Sequence, residues 1–167
     1  MIPRTALALV PLAIAACATT SQRGATQPSG RTLPAVAKAL INASVDVTFN
    51  AAVTAFSDAP IETRLVDPDN GVVESPYFDL ARYEWRAEQL PTAERLVRLR
   101  VTVLPDTLGR GSRVAVYAIY QPNRVAGMTQ GRATERAVPS DHPVTAFANK
   151  LLSKIEEKAT GIRATPP

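Results

Sequence analysis

The sequence predicts a two-layer α+β domain, in which an antiparallel sheet of four to five strands carries two helices on one face. Two hairpins predict the sheet, because each joins two strand-like segments through a turn. Two segments with apolar residues at helical spacing predict the helices. A helix that is apolar on one side needs a dry surface. The order strand, helix, hairpin, hairpin, helix therefore leads to this architecture.

The domain is predicted to begin with a strand and then a helix. Residues 35–43 fit a first strand, although their alanine content also allows a helix. Residues 47–59 follow as a helix that Asp46 can cap, and Pro60 ends it. The apolar side chains that share one face of this helix are Phe49, Ala52, Val53 and Phe56.

The first hairpin is predicted over residues 61–75. Its first strand alternates, with Ile61, Thr63 and Leu65 on one face. The run Asp67-Pro68-Asp69-Asn70-Gly71 is typical of a turn, because proline presets φ and Asn-Gly accepts a positive φ.

The carboxylates that flank this turn belong to Asp67, Asp69 and Glu74. Two interpretations stay open for them, namely a weak calcium site or a solvated turn.

The second hairpin is the clearest pattern in the chain. Residues 95–104 alternate, so that valine and leucine form a dry face while Arg98 and Arg100 lie on a wet one. Residues 113–121 are apolar on both faces, which indicates a central strand or a partly covered second face.

The last helix is predicted to follow a polar, mobile loop over residues 122–139. Ser140 or Asp141 can cap this helix, Pro143 fits its first turn, and Gly161 ends it. Its broad apolar stripe consists of Val144, Phe147, Ala148, Leu151, Leu152, Ile155 and Ala159.

The head of the chain predicts export and lipidation. One positive charge, Arg4, precedes a short apolar run that ends at Ala16, which is shorter than the ~20 residues that cross a membrane. A head of this kind is typical of a removable secretory signal. Ile14-Ala15-Ala16-Cys17 is similar to the bacterial lipobox, an aliphatic residue and two small residues before cysteine. The Cys17 thiol would form a thioether to diacylglycerol, and the amine freed by cleavage would take an N-acyl chain such as palmitate.

Ordinary signal-peptidase cleavage after Ala15 is the alternative, and it would leave a soluble protein with a spare thiol. Cys17 is the only cysteine, which favours lipidation because no disulfide can form within the chain. In diderm bacteria the residue after the lipidated cysteine directs sorting. Ala18, in place of aspartate, implies the outer membrane, with the domain facing the periplasm.

Four parts of the chain follow from these signals. Residues 1–16 are the predicted signal peptide, and residues 17–34 are the lipidated cysteine and a flexible tether without a core-forming side chain before Leu33. Residues 35–161 form a single α+β domain, and residues 162–167 form a disordered tail.

The predicted helix that ends before Pro60-Ile61-Glu62-Thr63 and the turn Asp67-Pro68-Asp69-Asn70-Gly71-Val72-Val73 together resemble a module of bacterial envelope lipoproteins. The hairpin of residues 95–120 with a C-terminal helix is similar to the same module. The resemblance is to the family of the accessory lipoprotein C of the outer-membrane β-barrel assembly machinery, and it spans roughly residues 35–161. It implies action by partner binding without catalysis. It carries over no functional residue.

Composition and motifs predict neither catalysis nor nucleic-acid binding. The formal net charge of +4 is small for a nucleic-acid-binding protein, and export argues against that role. His142 is the only histidine, so the common zinc sets are absent from the sequence. The sequence also lacks a phosphate-binding glycine loop and a nucleophile elbow. We therefore predict no enzyme activity, catalytic residue, metal site or dissociable cofactor.

The predicted function is a membrane-anchored interaction or accessory module in envelope assembly or maintenance. A carrier or chaperone for a lipid or another apolar ligand is the alternative. The sheet edge and an aromatic-rich segment without strand or helix period are the candidate contacts with an envelope protein. The residues of that segment are Tyr77, Phe78, Tyr83 and Trp85. The competing interpretation folds this segment over the open sheet face, with Trp85 as a lid on the core.

Overall fold

The computed structural model describes residues 33–121 and 135–161, all within one compact unit. The predicted signal peptide, Cys17, almost all of the tether, most of the polar loop and the tail lie outside the described residues.

Antiparallel pairing joins seven described strands into one sheet, in the order β1-β6-β5-β3-β2 with β4 beside β5 and β7 beside β6. The five-strand path agrees with the prediction, and the two additional strands have two residues each. Over the described ranges, β1 and β2 are the outer strands of this path. The strands are β1 Ala37–Ile41, β2 Leu65–Asp67, β3 Val72–Glu74, β4 Phe78–Asp79, β5 Leu96–Pro105, β6 Ser112–Tyr120 and β7 Arg136–Ala137.

Two long helices, α1 (Val45–Asp58) and α3 (Val144–Thr160), pack against each other and on one face of the sheet. The predicted two-layer α+β class is confirmed. The segment without a sequence period forms, beside β4, two 3₁₀ helices, Leu80–Arg82 and Trp85–Gln89, and a one-turn helix α2, Thr92–Arg95.

The core lies between this helical layer and the dry face of the central hairpin. Phe56 of α1 and Ile155 of α3 are fully buried, and so are Val97, Leu99 and Val101 of β5. β6 lies between β1 and β5, which confirms its prediction as a central strand. The apolar residues that alternate along β5 and the apolar stripes of the two helices therefore pack together in one core.

The starts of both long helices differ from the prediction. Ser44, not Asp46, caps α1: its extended backbone lets its hydroxyl accept a hydrogen bond from the Val47 N–H at 3.3 Å. Asp46 lies in the first turn, where its charge favours the positive end of the helix dipole. Neither Ser140 nor Asp141 caps α3 with its side chain, because the residue at the cap position is Pro143.

The first hairpin is shorter than predicted. Ile61 is buried and its N–H donates to the Phe56 carbonyl at 3.0 Å, so it closes the end of α1 instead of starting a strand. Leu65, predicted on the same face as Ile61, is exposed. The turn itself is confirmed: Asp67 accepts a hydrogen bond from the Asn70 N–H at 3.1 Å, and Gly71 has a φ of 62°.

Candidate functional site

The aromatic segment divides among three places on the described surface. Tyr77 lies on the sheet face opposite the helices, beside Arg98. Phe78 and Tyr83 pack at the margin of the core, and Trp85 is exposed. The four predicted contact residues therefore do not form one patch, and their role in partner binding stays a prediction.

Tyr77 is part of a polar cluster. The Arg98 guanidinium lies 4.8 Å from the centroid of the Tyr77 ring, and its Nη2 donates to the phenol oxygen at 3.3 Å. The phenol in turn donates to Glu135 Oε1 at 3.3 Å. A cation over an aromatic face is attracted by the ring quadrupole, so Tyr77 helps to hold Arg98 in place.

Phe78 and Tyr83 form an aromatic cluster with Phe147 of α3. The Phe78 and Tyr83 rings meet edge to face, with centroids 5.3 Å apart, and the Tyr83 and Phe147 centroids are 5.8 Å apart. The Tyr83 hydroxyl donates to the Pro60 carbonyl at 3.1 Å. This hydrogen bond ties the aromatic segment to the end of α1.

Trp85 is 66% exposed, so its interpretation as a lid on the core is wrong. The Arg86 guanidinium lies 5.4 Å from the centroid of the indole ring. The 3₁₀ helix that begins at Trp85 instead turns Ala87 inward, and Ala87 is fully buried. A large aromatic surface is thus left in contact with solvent.

A groove of about 250 Å³ lies between the residues that follow α1 and the middle of α3. The ring of Tyr83 forms part of its apolar wall. Two lysines of α3, Lys150 and Lys154, line the rest of the groove. Lys150 Nζ lies 3.5 Å from Oε2 of the buried Glu84. The lining residues are Ala59, Pro60, Tyr83, Phe147, Lys150, Leu151 and Lys154.

A buried ion cluster lies on the opposite face of the sheet. Glu74 is 1% exposed and accepts hydrogen bonds from Arg98 Nη1 at 2.8 Å and from Arg100 Nε at 2.6 Å. Arg64 forms a further ion pair with the same carboxylate, and Glu135 pairs with Arg98. Burial by itself raises the pKa of Glu74, but the hydrogen bonds from Arg100 and Arg64 and the charge of Arg98 outweigh it, so the pKa is lowered.

Two sequence-based expectations change with this cluster. Arg98, predicted on a wet face, is only 5% exposed, because Glu74 and Tyr77 surround its guanidinium group. The Asp67 carboxylate accepts from Asn70, whereas the Glu74 carboxylate binds arginines. The turn carboxylates therefore do not converge, and residues 33–121 and 135–161 contain no group of three metal-ligand side chains.

The buried ion cluster follows from the register between β3 and β5. Glu74 is directly opposite Arg100 in the β3–β5 pairing, so both side chains lie on one sheet face. Arg98 is two residues along β5 and shares that face. The sequence contains this signal, but it becomes readable only once the pairing of β3 with β5 is known.

His142 connects two backbone segments. Its Nδ1 accepts a hydrogen bond from the Val144 N–H at 3.1 Å, and its Nε2 lies 3.1 Å from the Glu94 carbonyl oxygen. The ring is therefore neutral, with the proton on Nε2. Burial lowers the pKa of His142 from its ordinary value of 6.5, against the opposing effects of the Glu94 backbone hydrogen bond and of the charges of Glu94 and Asp141. The described contacts of the His142 ring join the backbone at Glu94 to the start of α3 and therefore stabilise the fold.

We expect acidification to destabilise the domain through His142. The unfolded chain takes up a proton near pH 6.5, whereas the folded chain resists protonation because imidazolium cannot accept from the Val144 N–H. The stabilisation from neutral His142 is complete above pH 6.5, and it is lost as the pH falls towards the lowered pKa of His142 in the folded chain. In urea titrations across this window, a His142→Asn variant should show a weaker pH dependence than the wild type. Equal slopes would contradict this role.

Over the described ranges, no helix has the length and apolar character needed to span a membrane. The sequence matches no protein-family model, and no curated protein is similar enough to count as a match.

Proposed function

We propose that this chain is a non-enzymatic lipoprotein, anchored in the cell envelope, that acts as a protein-interaction or accessory module in envelope assembly or maintenance. The observation that carries the proposal is Ile14-Ala15-Ala16-Cys17 at the end of a short apolar head. Each buried methylene contributes about 0.8 kcal/mol, so the two or more chains expected on Cys17 anchor a protein stably.

Two features of the folded domain support a binding role. Trp85 exposes a large aromatic surface, and tryptophan is enriched among the residues that contribute most to protein interfaces. Phe147 and Tyr83 line an apolar groove, and Tyr83 lies two residues before Trp85 in the sequence. Both features lie in or beside the segment that the sequence nominates for partner contact.

The tether sets the reach of the proposed module. With ~16 residues between Cys17 and the domain, a flexible chain spans roughly 20–25 Å on average. Ala18 after the cysteine favours the outer membrane in a diderm source. A domain on such a tether samples the space next to its membrane and meets partners there without leaving the surface.

We expect Cys17→Ser to abolish lipid labelling and to shift the protein from the membrane fraction to the soluble fraction. Serine lacks the thiol that forms the thioether, so the diacylglyceryl transfer has no acceptor. The measurement is labelling with radioactive palmitate in a bacterial host, followed by fractionation.

Ser21→Ala is the matched control, because it changes one hydroxyl residue on the carboxyl side of the cysteine. This control should mature and label like the wild type. Normal labelling of the Cys17→Ser variant would contradict the anchor.

A further inference from the structure

We propose that the groove between α1 and α3 docks a short acidic segment of a partner protein, with one bulky apolar side chain in the groove and a carboxylate beside Lys154. The inference rests on the proposed interaction role and names the chemistry of the partner. Its supports are the size of the groove, its apolar wall and the cation at its edge.

The size of the groove favours a side chain over a whole ligand. Its volume of about 250 Å³ is below the ~300–1,000 Å³ of pockets that enclose complete small molecules. One or two apolar side chains suit such a space, whereas a lipid with long acyl chains does not. The Phe147 and Tyr83 rings, with centroids 5.8 Å apart, form an aromatic wall for the incoming side chain.

The charges around the groove favour an acidic segment. Two neighbouring carboxylates are already neutralised: Glu84 lies near Lys150, and Asp58 pairs with Lys158 at 2.7 Å. Lys154 is exposed and forms no ion pair in the described part of the chain, although its charge contributes, beside Lys158, to the lowered pKa of Asp58. A carboxylate that follows an apolar side chain into the groove therefore meets an available ammonium group.

The test uses the full chain and a short fluorescein-labelled peptide in which one phenylalanine lies between glutamates. Fluorescence anisotropy should show saturable binding that weakens as salt is added, because exposed charges are screened. Replacing the glutamates by glutamine, or the phenylalanine by glycine, should weaken binding by roughly tenfold if each group occupies its proposed place.

Lys154→Glu should weaken binding of the glutamate peptide by roughly three- to tenfold, because it places like charges together. Lys38→Glu is the matched control, because Lys38 is an exposed lysine that does not line the groove. It lies on β1 opposite Ala115, which in turn lies opposite Thr102 of β5, so Lys38 belongs to the sheet face that does not carry the helices. This control should change the affinity by less than about twofold. Equal melting temperatures of both variants would show that the fold is intact.

Failure to bind the peptide, or an equal loss in both lysine variants, would overturn the inference. Binding of vesicles containing an anionic phospholipid that depends on Lys154, without peptide binding, would also overturn it and assign the groove to lipid. The labelling of Cys17 is measured separately. If the peptide does not bind but Cys17 is labelled and the protein crosslinks in the envelope, the inference about the groove is wrong and the proposed function is unaffected.

Discussion

Glu74→Gln is expected to lower the free energy of unfolding by about 3–5 kcal/mol. The carboxylate is 1% exposed and holds Arg98, which is itself 5% exposed, at 2.8 Å. Removing the negative charge leaves the buried guanidinium group of Arg98 with the more exposed Glu135 as its remaining counter-ion among the described residues, and the Arg98 Nε already has no hydrogen-bond partner there. Since small domains are stable by about 5–15 kcal/mol, the loss is a large share of the total.

Urea denaturation at neutral pH measures this loss, and Glu62→Gln is the matched control because Glu62 is exposed. The control should stay within about 0.5 kcal/mol of the wild type. The folded pKa of Glu74 is below its ordinary value of 4.5, so its stabilisation is present above 4.5 and is lost as the pH falls through the folded value. The free energies of unfolding of the wild type and of the Glu74→Gln variant should therefore converge as the pH is lowered. A neutral effect at pH 7 would show that the arginines find other partners.

Phe56→Ala should cost about 3–5 kcal/mol, because Phe56 is fully buried between α1 and the sheet and its removal leaves a cavity. Trp85→Ala removes a larger ring, yet it should change the stability by less than about 0.5 kcal/mol, since Trp85 is 66% exposed. Thermal melts of the two variants, measured side by side, separate burial from side-chain size.

The same pair also tests the proposed contact. Trp85→Ala should weaken crosslinking to an envelope partner while the melting temperature stays near that of the wild type. If Trp85→Ala unfolds as readily as Phe56→Ala, the indole ring is part of the core. If crosslinking is unchanged, Trp85 is not a contact residue.

Periodicity predicted the elements whose burial follows local spacing. Alternation along residues 95–104 identified the dry face of β5, and the last stripe identified the buried side of α3, where Val144, Leu151 and Ile155 are buried. The Asn-Gly turn followed from backbone preference alone. These features depend on neighbours within a few residues, so the chain itself specifies them.

Features that depend on pairing across the chain were not predictable in this way. Ser44 and Asp46 are both competent caps, and the choice between them depends on where α1 meets the core. Arg98 follows the same alternation as Arg100, but only the register with β3 places it against Glu74. The aromatic segment has no period, so its separation into Tyr77, the Phe78–Tyr83 cluster and Trp85 follows from its path around the sheet.

The outer strands of the sheet also bear on self-association. A long, flat outer strand is a template on which further chains stack and aggregate. In the described ranges, β2 has only three residues and is followed directly by Pro68, which has no N–H to extend a ladder. β1 carries the exposed Lys38 as its second residue, and a charged side chain on an outer strand disfavours edge-to-edge pairing with another copy. Within the described ranges, both outer strands thus carry a feature that disfavours fibril-like growth.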